Sequence, residues 1–340
     1  MKLQWIKFGS FLTAILLVGL FFTYQLPYYI YKPGSADPLN PIVAVENGYE
    51  SEGEMHLVTI QGGQATPFYY LLAKIRDYHQ IVPIEDVYYD GISEEEYLQM
   101  NLMAMENSQE ASTVVAYEAA QADIEIQYAG VYVVSVVDDM PAEGVLRPGD
   151  RITKIDGKAI AEANDLIDYV QTKEAGDQIH LSIIRDEEPI AEQITLVPLQ
   201  QLNGMPGIGI KLVTDRKVSE NPEITFSSGE IGGPSAGLMF ALEIYDQLTE
   251  EDITKGYQIA GTGEVDYEGN VGRIGGIDKK VIAADKADNK IFFAPNEGGR
   301  EDSNYHVAKQ VAEDINSDME IVPVDTFYDA LEHLQALPEG

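Results

Sequence analysis

The fold is decided by the stretch GTGEVDYEGNVGRIGGIDKKVIAADKADNKIFFAP, residues 261–295. It begins as a strand, turns at Glu268-Gly269-Asn270, passes a glycine pair and continues as a helix that starts near Ile277. A further strand, IFFAP, ends at Pro295. The apolar positions of the helix recur at helical spacing and are Ile277, Val281, Ala284 and Ala287. This order of elements predicts a domain of the α+β class.

Lys280 occupies an unusual place on this helix. At about 100° per residue it falls on the apolar stripe, whereas Lys279 and Lys286 fall on the opposite, solvent-facing side. Burial and the positive end of a helix both disfavour the charged form of a lysine, so both lower its pKa. A lysine that acts as a general base needs such a pKa. The alternative is a structural lysine whose stem is buried and whose ammonium group reaches water.

A serine stands in the turn GGPSAG, residues 232–237, which leads into the helical segment GLMFALEIYDQL. No GK[ST] follows the turn, so it is not a nucleotide-binding Walker loop. Small residues around Ser235 let a substrate backbone approach, and the unpaired N–H groups at a helix start can hold an oxyanion. Ser235 also falls in the middle of the apolar stripe of the helix. The alternative is an ordinary N-cap serine.

Four segments together resemble the Lon-type serine–lysine peptidases, and they are GGPSAG, AGTGEVDYEGNV, RIGGIDKKVIAADKA and IFFAPNE. The resemblance implies that Ser235 is the nucleophile, Lys280 the base and Thr262 a support for the lysine. N–H groups around Gly233 and Ser235 are expected to hold the oxyanion. The sequence departs from the family at Gly232, where Lon peptidases commonly carry an aspartate.

The section 125–200 resembles a PDZ domain of the bacterial protease type. Its most specific part is LRPGDRITKIDGK, which starts at Leu146. The resemblance implies that a loop before a strand captures the carboxylate of a peptide C-terminus, and that the peptide then adds to the sheet edge. The residues expected in that loop are Tyr128, Ala129, Gly130 and Val131. The alternative is a small β-rich spacer that binds no ligand.

The domain order follows from the same resemblance. NLMAMENSQEASTVVAYEAA (101–120) resembles the first helix of a Lon peptidase domain, and MHLVTI reads as an early strand. The expected peptidase domain therefore consists of 51–124 and 201–340, with the PDZ domain of 125–200 inserted between them. No Walker A motif occurs in the chain.

The N-terminal segment predicts a membrane anchor. Lys2 and Lys7 belong to an expected cytoplasmic tail, 1–7, and an uncharged run follows over 8–31. As a helix that run would span roughly 36 Å, enough to cross a hydrocarbon core of about 30 Å. The segment 32–50 reads as a tether. Because the lysines precede the run, we expect a single-pass plasma-membrane protein with its N-terminus inside and its catalytic body outside. The alternative is a cleaved signal peptide.

Composition narrows the class of function further. The formal net charge of −35 disfavours nucleic acid, whose binding depends on Lys and Arg contacts to phosphate. The chain has no cysteine, which excludes thiol nucleophiles and Cys-based zinc sites. Its five histidines are scattered, so we expect no metal and no cofactor.

The resulting hypothesis is an ATP-independent serine endopeptidase that cleaves peptides or unfolded proteins outside the cytoplasm. The resemblance extends to the PDZ-containing Lon-like surface peptidases of Gram-positive bacteria, which leaves open the processing of a secreted signalling peptide in quorum sensing or competence. Because Lon-like domains tend to form rings, it also leaves a homo-oligomer open. Two alternatives are a non-catalytic PDZ adaptor or chaperone, and an extracellular structural domain whose acidic loops bind cations.

Overall fold

The computed structural model describes residues 2–88, 93–200, 203–229 and 231–338. The chain divides into two compact units. The larger is formed by 1–123 together with 220–340, and the smaller by 124–219. The smaller unit contains the whole of the segment 125–200 and extends beyond it. Met1, which belongs to the predicted tail, lies outside the described residues.

The helices of the described residues are α1 (Lys2–Thr23), α2 (Pro67–Ala73), α3 (Ile84–Val87), α4 (Glu94–Ala119), α5 (Ala163–Gln171), α6 (Gly237–Leu248), α7 (Ile277–Lys286), α8 (Asn304–Asp314) and α9 (Phe327–Ala336). The strands are β1 (Tyr28–Pro38), β2 (Val43–Val45), β3 (Glu54–Gln64), β4 (Gln80–Pro83), β5 (Asp123–Val136), β6 (Arg151–Ile155), β7 (Lys158–Ala159), β8 (Gln178–Arg185), β9 (Glu188–Thr195), β10 (Val197–Leu199), β11 (Met205–Gly207), β12 (Ile210–Asn221), β13 (Ile224–Phe226), β14 (Gln258–Gly261), β15 (Glu264–Val265), β16 (Val271–Gly272), β17 (Ile291–Pro295) and β18 (Glu320–Val324).

A six-stranded sheet forms the centre of the larger unit, with the strand order β18-β17-β14-β3-β1-β4. The first four of these strands run parallel to one another, and β1 runs antiparallel to both of its neighbours, β3 and β4. Every residue of β17 is buried, which explains why IFFAP reads as a continuous apolar run. Helices α7 and α8 supply much of one apolar cluster against this sheet, through Ile277, Val281, Ala284, Ala308, Val311 and Ala312.

The residues expected to complete a membrane-spanning helix instead enter the sheet. α1 ends at Thr23, and Tyr28–Pro38 form β1, which pairs with β3 on one side and with β4 on the other. The predicted helix over 8–31 and the predicted tether over 32–50 are therefore wrong in extent. The aromatic and β-branched residues of the YYIY stretch favour a strand, and pairing on both edges satisfies its backbone groups. Among the residues that the structure describes, no helix combines the length and the apolar character that a membrane crossing needs.

α4 begins at a capping box. The Ser93 hydroxyl accepts a hydrogen bond from the N–H of Glu96, and the Glu96 carboxylate accepts one from the N–H of Ser93. The C-terminal half of the helix is buried from Ala111 to Tyr117 and packs against α6. This packing brings α4 alongside the start of α6, next to Ser235.

The smaller unit is a sheet with the order β12-β5-β6-β8-β9, to which β7 adds beside β6, together with α5. Its core includes Val131, Ile152, Ile155, Leu166, Ile179, Leu181 and Ile183. The turn at Pro148-Gly149-Asp150 is fixed by Asp150, whose carboxylate accepts hydrogen bonds from the Arg185 guanidinium at 2.7 Å and from the Arg147 N–H at 2.8 Å. Burial acts to raise the pKa of Asp150, but these bonds hold it below its ordinary value. Asp150 is therefore charged and paired within the turn.

Candidate active site

Ser235 lies on a short 3-10 turn, Pro234–Ala236, that leads directly into α6. The backbone enters this turn through Gly233, whose φ of +93° is a conformation that favours glycine. α4 holds the turn from the side: the Ser108 hydroxyl donates to the carbonyl oxygen of Pro234 at 2.9 Å, and the Ser112 hydroxyl donates to that of Gly237 at 2.8 Å. The serine therefore sits on a backbone that is fixed from outside the turn.

Lys280 reaches this serine from α7. Its side chain is buried, and its Nζ lies 2.8 Å from Oγ of Ser235. The same Nζ lies 2.9 Å from the carbonyl oxygen of Val58 on β3 and 3.1 Å from Oγ1 of Thr262. The structure thus brings together all three side chains that the sequence singled out for the chemistry.

The protonation state of Lys280 follows from its burial. Removal from water lowers the pKa of its ammonium group from 10.5 to about 7. A neutral amine has two N–H bonds and one lone pair. If the carbonyl of Val58 and the hydroxyl oxygen of Thr262 accept the two N–H bonds, the lone pair is left directed at the hydroxyl of Ser235. The arrangement can therefore take a proton from the serine.

Thr262 connects the lysine to the turn that carries the serine. Its hydroxyl donates to the carbonyl oxygen of Ser235 at 2.8 Å, so its oxygen is free to accept from Lys280. The backbone repeats this link, because the N–H of Gly263 donates to the same carbonyl oxygen at 2.9 Å. Thr262 fixes both partners relative to each other.

Gly233 does not offer its N–H to the reaction centre in this structure. That N–H donates to the carbonyl oxygen of Asn101 on α4, at 2.8 Å. The expectation that Gly233 helps to hold the oxyanion is wrong for this conformation, because its donor is already used. The N–H of Ser235 stands at the start of the turn, where a helix leaves its first N–H groups without an internal partner.

Asn101 also explains the departure of Gly232 from the Lon pattern. A Cβ atom at Gly232 would lie 2.9 Å from Cβ of Asn101, closer than two carbon atoms tolerate. Sequence reasoning placed Asn101 on a helix but gave it no role, because nothing in the pattern reveals a contact between residues so far apart in the chain.

Lys279 is buried, contrary to the prediction of a solvent-facing lysine. Its ammonium group pairs with the Asp278 carboxylate at 2.9 Å and donates to the Gln80 side chain at 3.2 Å. The prediction failed because the ammonium group of Lys279 reaches Gln80 on β4, so strand β4 and not water lies on this side of α7. Lys279 keeps a carboxylate partner, which Lys280 lacks within the described part of the chain.

The four residues expected to bind a peptide in the PDZ unit lie in the wrong place for it. Tyr128, Ala129, Gly130 and Val131 belong to β5, which is flanked by β12 on one side and by β6 on the other. Because β6 pairs with β5 at Val131 and Tyr132 and β12 lies on its other side, a peptide could join β5 there only by displacing a strand. One of the two outer strands of this sheet is β12, which follows Gly207 and Gly209 in the chain. α5 contacts β11, the strand that precedes β12. Sequence reasoning placed β5 at the edge because it did not include β12 in the sheet.

Across 2–88, 93–200, 203–229 and 231–338, no group of three or more histidine, aspartate or glutamate side chains is arranged to hold a metal ion.

Two families match separate parts of this chain. The PDZ domain family matches residues 103–196, and the Lon protease (S16) C-terminal proteolytic domain matches residues 221–337. The Lon protease of Campylobacter jejuni subsp. jejuni serotype O:2 is 35% identical over 129 residues, which is 36% of this chain and 15% of that protein. The Lon protease of Campylobacter concisus is 36% identical over 101 residues, which is 30% of this chain and 12% of that protein. The chain thus corresponds to a small part of the length of these relatives.

Among solved structures, the PDZ domain of an SdrC-like protein from Listeria monocytogenes is 41% identical. It covers 26% of this chain and 93% of its own, with a TM-score of 0.25.

The matched proteolytic domain contains Ser235, Thr262 and Lys280, and the PDZ match overlaps most of the smaller unit. The predicted pair of domains, in a mixed α+β fold, is confirmed by these matches. The chain therefore combines a region that matches the Lon protease (S16) C-terminal proteolytic domain with a region that matches the PDZ domain family.

Proposed function

We propose that this chain is an ATP-independent endopeptidase that cleaves peptides and unfolded proteins with a Ser235–Lys280 dyad. The observation that carries the proposal is the 2.8 Å approach of a buried Nζ, with a pKa of about 7, to the hydroxyl of Ser235. A weak nucleophile next to a neutral base is the arrangement that covalent catalysis needs.

The proposed reaction begins with transfer of the Ser235 hydroxyl proton to Nζ of Lys280. Oγ then attacks the scissile carbonyl carbon, and the carbonyl oxygen becomes an oxyanion, for which the N–H of Ser235 is the candidate donor. As the C–N bond breaks, the Lys280 ammonium protonates the departing amine and an acyl-enzyme remains. Water gives a proton to neutral Lys280 as it attacks the ester, and that proton returns to Oγ of Ser235.

We also propose that the PDZ unit captures substrate at the free edge of β12. An extended peptide would add to this strand as a further member of the sheet, and the turn at Gly207 and Gly209 would receive the terminal carboxylate. Because both units belong to one chain, capture at β12 raises the effective concentration of substrate for Ser235.

Attachment to the plasma membrane, with the catalytic body outside, is a further part of the proposal. Its support is the uncharged segment that starts at Phe8 and the exposure of apolar side chains along α1, namely Phe8, Phe11, Leu12, Ile15, Leu16, Leu17 and Val18. So large an exposed apolar surface indicates a non-aqueous partner. In this location, secreted signalling peptides and unfolded surface proteins are the proposed substrates, and assembly into a homo-oligomeric ring is the proposed state.

The test compares Ser235→Ala, Lys280→Ala and Lys286→Ala on an unstructured peptide. Lys286 is exposed and lies on the same helix as Lys280, so it is a matched control. The first two variants should lose cleavage and labelling by a serine-directed probe, while Lys286→Ala keeps both. Cleavage retained by Ser235→Ala or Lys280→Ala would reject the dyad. If all three variants kept the probe labelling, the result would favour the non-catalytic adaptor.

A further inference from the structure

A small surface on α2 and the turn after it exposes apolar side chains where the larger unit begins. Tyr69 is 48% exposed, Leu71 55% and Ile75 80%. We call these three residues, together with Lys74 and Arg76, the α2 surface. The amphipathic helix of a soluble protein normally turns such residues inward. The α2 surface therefore lacks a partner within the described part of the chain.

The opposite side of α2 is fixed in place, so this exposure belongs to the folded unit. Ala73 is buried in a cluster with Ile30 and Ala65, and the ring of Tyr70 lies 5.0 Å from that of Tyr28. α2 cannot turn its exposed side inward without breaking these contacts.

The α2 surface is continuous with the end of α1. The ring of Phe68, at the start of α2, lies 4.8 Å from that of Phe22 and 6.1 Å from that of Phe21, both in the last turn of α1. Tyr24, which follows that turn, is also exposed. The apolar side chains at the end of α1 are therefore neighbours of those at the start of α2.

The charge of this region is opposite to that of the protein. The chain carries −35, yet residues 66–76 contain Lys74 and Arg76 and no acid. Lys32 adds a third cation, with its Nζ 5.7 Å from the ring centre of Tyr69. In the part of the chain that the structure describes, none of these three cations is paired with a carboxylate. Unpaired Lys and Arg beside exposed Tyr, Leu and Ile are suited to the headgroup layer of a membrane.

We infer that the α2 surface docks on an anionic phospholipid bilayer: Tyr69, Leu71 and Ile75 enter the interfacial layer, and Lys32, Lys74 and Arg76 contact lipid phosphates. The inference rests on the proposed membrane attachment and extends it, because it makes the larger unit lie against the bilayer. A unit held in this way would meet substrates at the membrane surface.

The lack of native cysteine makes a clean test available. Ile75→Cys in the full chain is labelled with an environment-sensitive fluorophore and mixed with vesicles of phosphatidylglycerol and phosphatidylcholine. The control is Val307→Cys, an exposed aliphatic position on α8 of the same unit. Flotation of the same samples measures attachment of the whole chain independently.

We expect the full chain to float with the vesicles and the label at position 75 to shift to shorter wavelength and be quenched by lipid-borne quenchers, while the label at 307 does neither. Adding Lys74→Glu and Arg76→Glu should abolish the shift at 75 without preventing flotation. A chain that does not float rejects the membrane attachment and the docking with it. If the chain floats but the label at position 75 is as exposed to water as the label at 307, the docking alone is overturned. An equal shift without vesicles also overturns it, because it would indicate that the surface contacts a second copy of this chain.

Discussion

Oγ of Ser235 and Nζ of Lys280 lie 2.8 Å apart although 45 positions separate them in the chain. Ser235 lies in the turn before α6, and Lys280 lies in the first turn of α7. The ammonium group of Lys280 also contacts a carbonyl oxygen of β3 and the hydroxyl of Thr262. Because Lys280 is buried without a carboxylate partner in the described residues, the lysine is kept near the midpoint of its titration at neutral pH. Several of its properties can therefore be tested by varying pH.

Peptidase activity should rise with pH through a midpoint near 7. Only the neutral amine of Lys280 can take the proton of Ser235, and burial lowers the pKa of that amine to about 7. The measurement is kcat/KM for an unstructured peptide between pH 5.5 and about 9, since this ratio reports the titration of the free enzyme. The rate at which a serine-directed probe labels Ser235 should follow the same curve. A midpoint near 10.5, the ordinary pKa of lysine, would contradict the role given to Lys280.

Lys280→Met should make the protein inactive but more stable at pH 7. The unfolded chain binds a proton at Lys280 up to pH 10.5, whereas the folded protein releases it above about 7. Between these values the unfolded state binds more protons, so the stability of the wild type rises with pH. A shift of this size corresponds to at most about 4–5 kcal/mol at pH 7, reduced by the hydrogen bonds that methionine cannot make.

The gain of Lys280→Met is measured by chemical denaturation of both proteins from pH 7 to 10.5. It should be largest at pH 7 and should vanish toward pH 10.5. All other titrating groups are shared, so their contributions cancel in the difference. A difference that does not change with pH would show that the lysine keeps its charge when folded.

Thr262→Val should slow cleavage by about 10- to 100-fold, within the range that positioning of a general base contributes. Valine keeps the shape of the side chain but cannot accept from Lys280 or donate to the carbonyl oxygen of Ser235. Thr262→Ser keeps the hydroxyl and is the matched control. We expect kcat to fall for Thr262→Val with little change in KM, and Thr262→Ser to retain most of the activity. Equal losses in both variants would point to packing of the threonine methyl group instead.

Gly232→Ala should destabilise the protein by about 1–3 kcal/mol, the usual cost of forcing an extra carbon into a packed site. The new Cβ would lie 2.9 Å from that of Asn101, and relief of the clash would move the turn that carries Ser235. Gly275→Ala is the control, because a Cβ there would have nothing within 4 Å. The midpoint temperature of thermal unfolding and the rate of peptide cleavage should both fall for Gly232→Ala and stay unchanged for Gly275→Ala. Full activity and stability in Gly232→Ala would remove Asn101 as the reason for glycine at this position.

The sequence was sufficient to predict the elements of the stretch 261–295 and the three side chains, Ser235, Thr262 and Lys280, that the structure brings together. The spacing of apolar residues was enough to place Lys280 on the apolar stripe of α7. What spacing could not reveal was which surface each helix side meets. Lys279 lies on the side opposite the stripe, yet it is buried there, paired with Asp278 and hydrogen-bonded to Gln80 of β4.

Long-range strand pairing was equally hidden. Tyr28 to Tyr31 read as the end of an apolar helix because they carry no charge, yet their partners are in β3 and β4, at least 30 residues away. For the same reason the sequence did not reveal that β12 lies beside β5, because β12 lies beyond the end of the predicted segment 125–200. The spacing of hydrophobic residues indicates which face of a helix or strand a residue lies on. Which strands pair in a sheet depends on residues that are distant in the chain.

Binding of a peptide with a free C-terminus should protect amide hydrogens of β12 from exchange and leave those of residues 128–131 unchanged. β12 is the outer strand of its sheet, so its free N–H groups exchange with water until a peptide strand pairs with them, whereas β5 already has a neighbour on each side. The measurement is hydrogen–deuterium exchange of the full Ser235→Ala chain, which cannot consume the peptide. The same peptide with an amidated C-terminus is the control and should protect β12 less, because it removes the charge that the turn at Gly207 and Gly209 would hold. Protection centred on Tyr128 to Val131 would return the binding site to β5 and would require β12 to leave the sheet when a peptide binds.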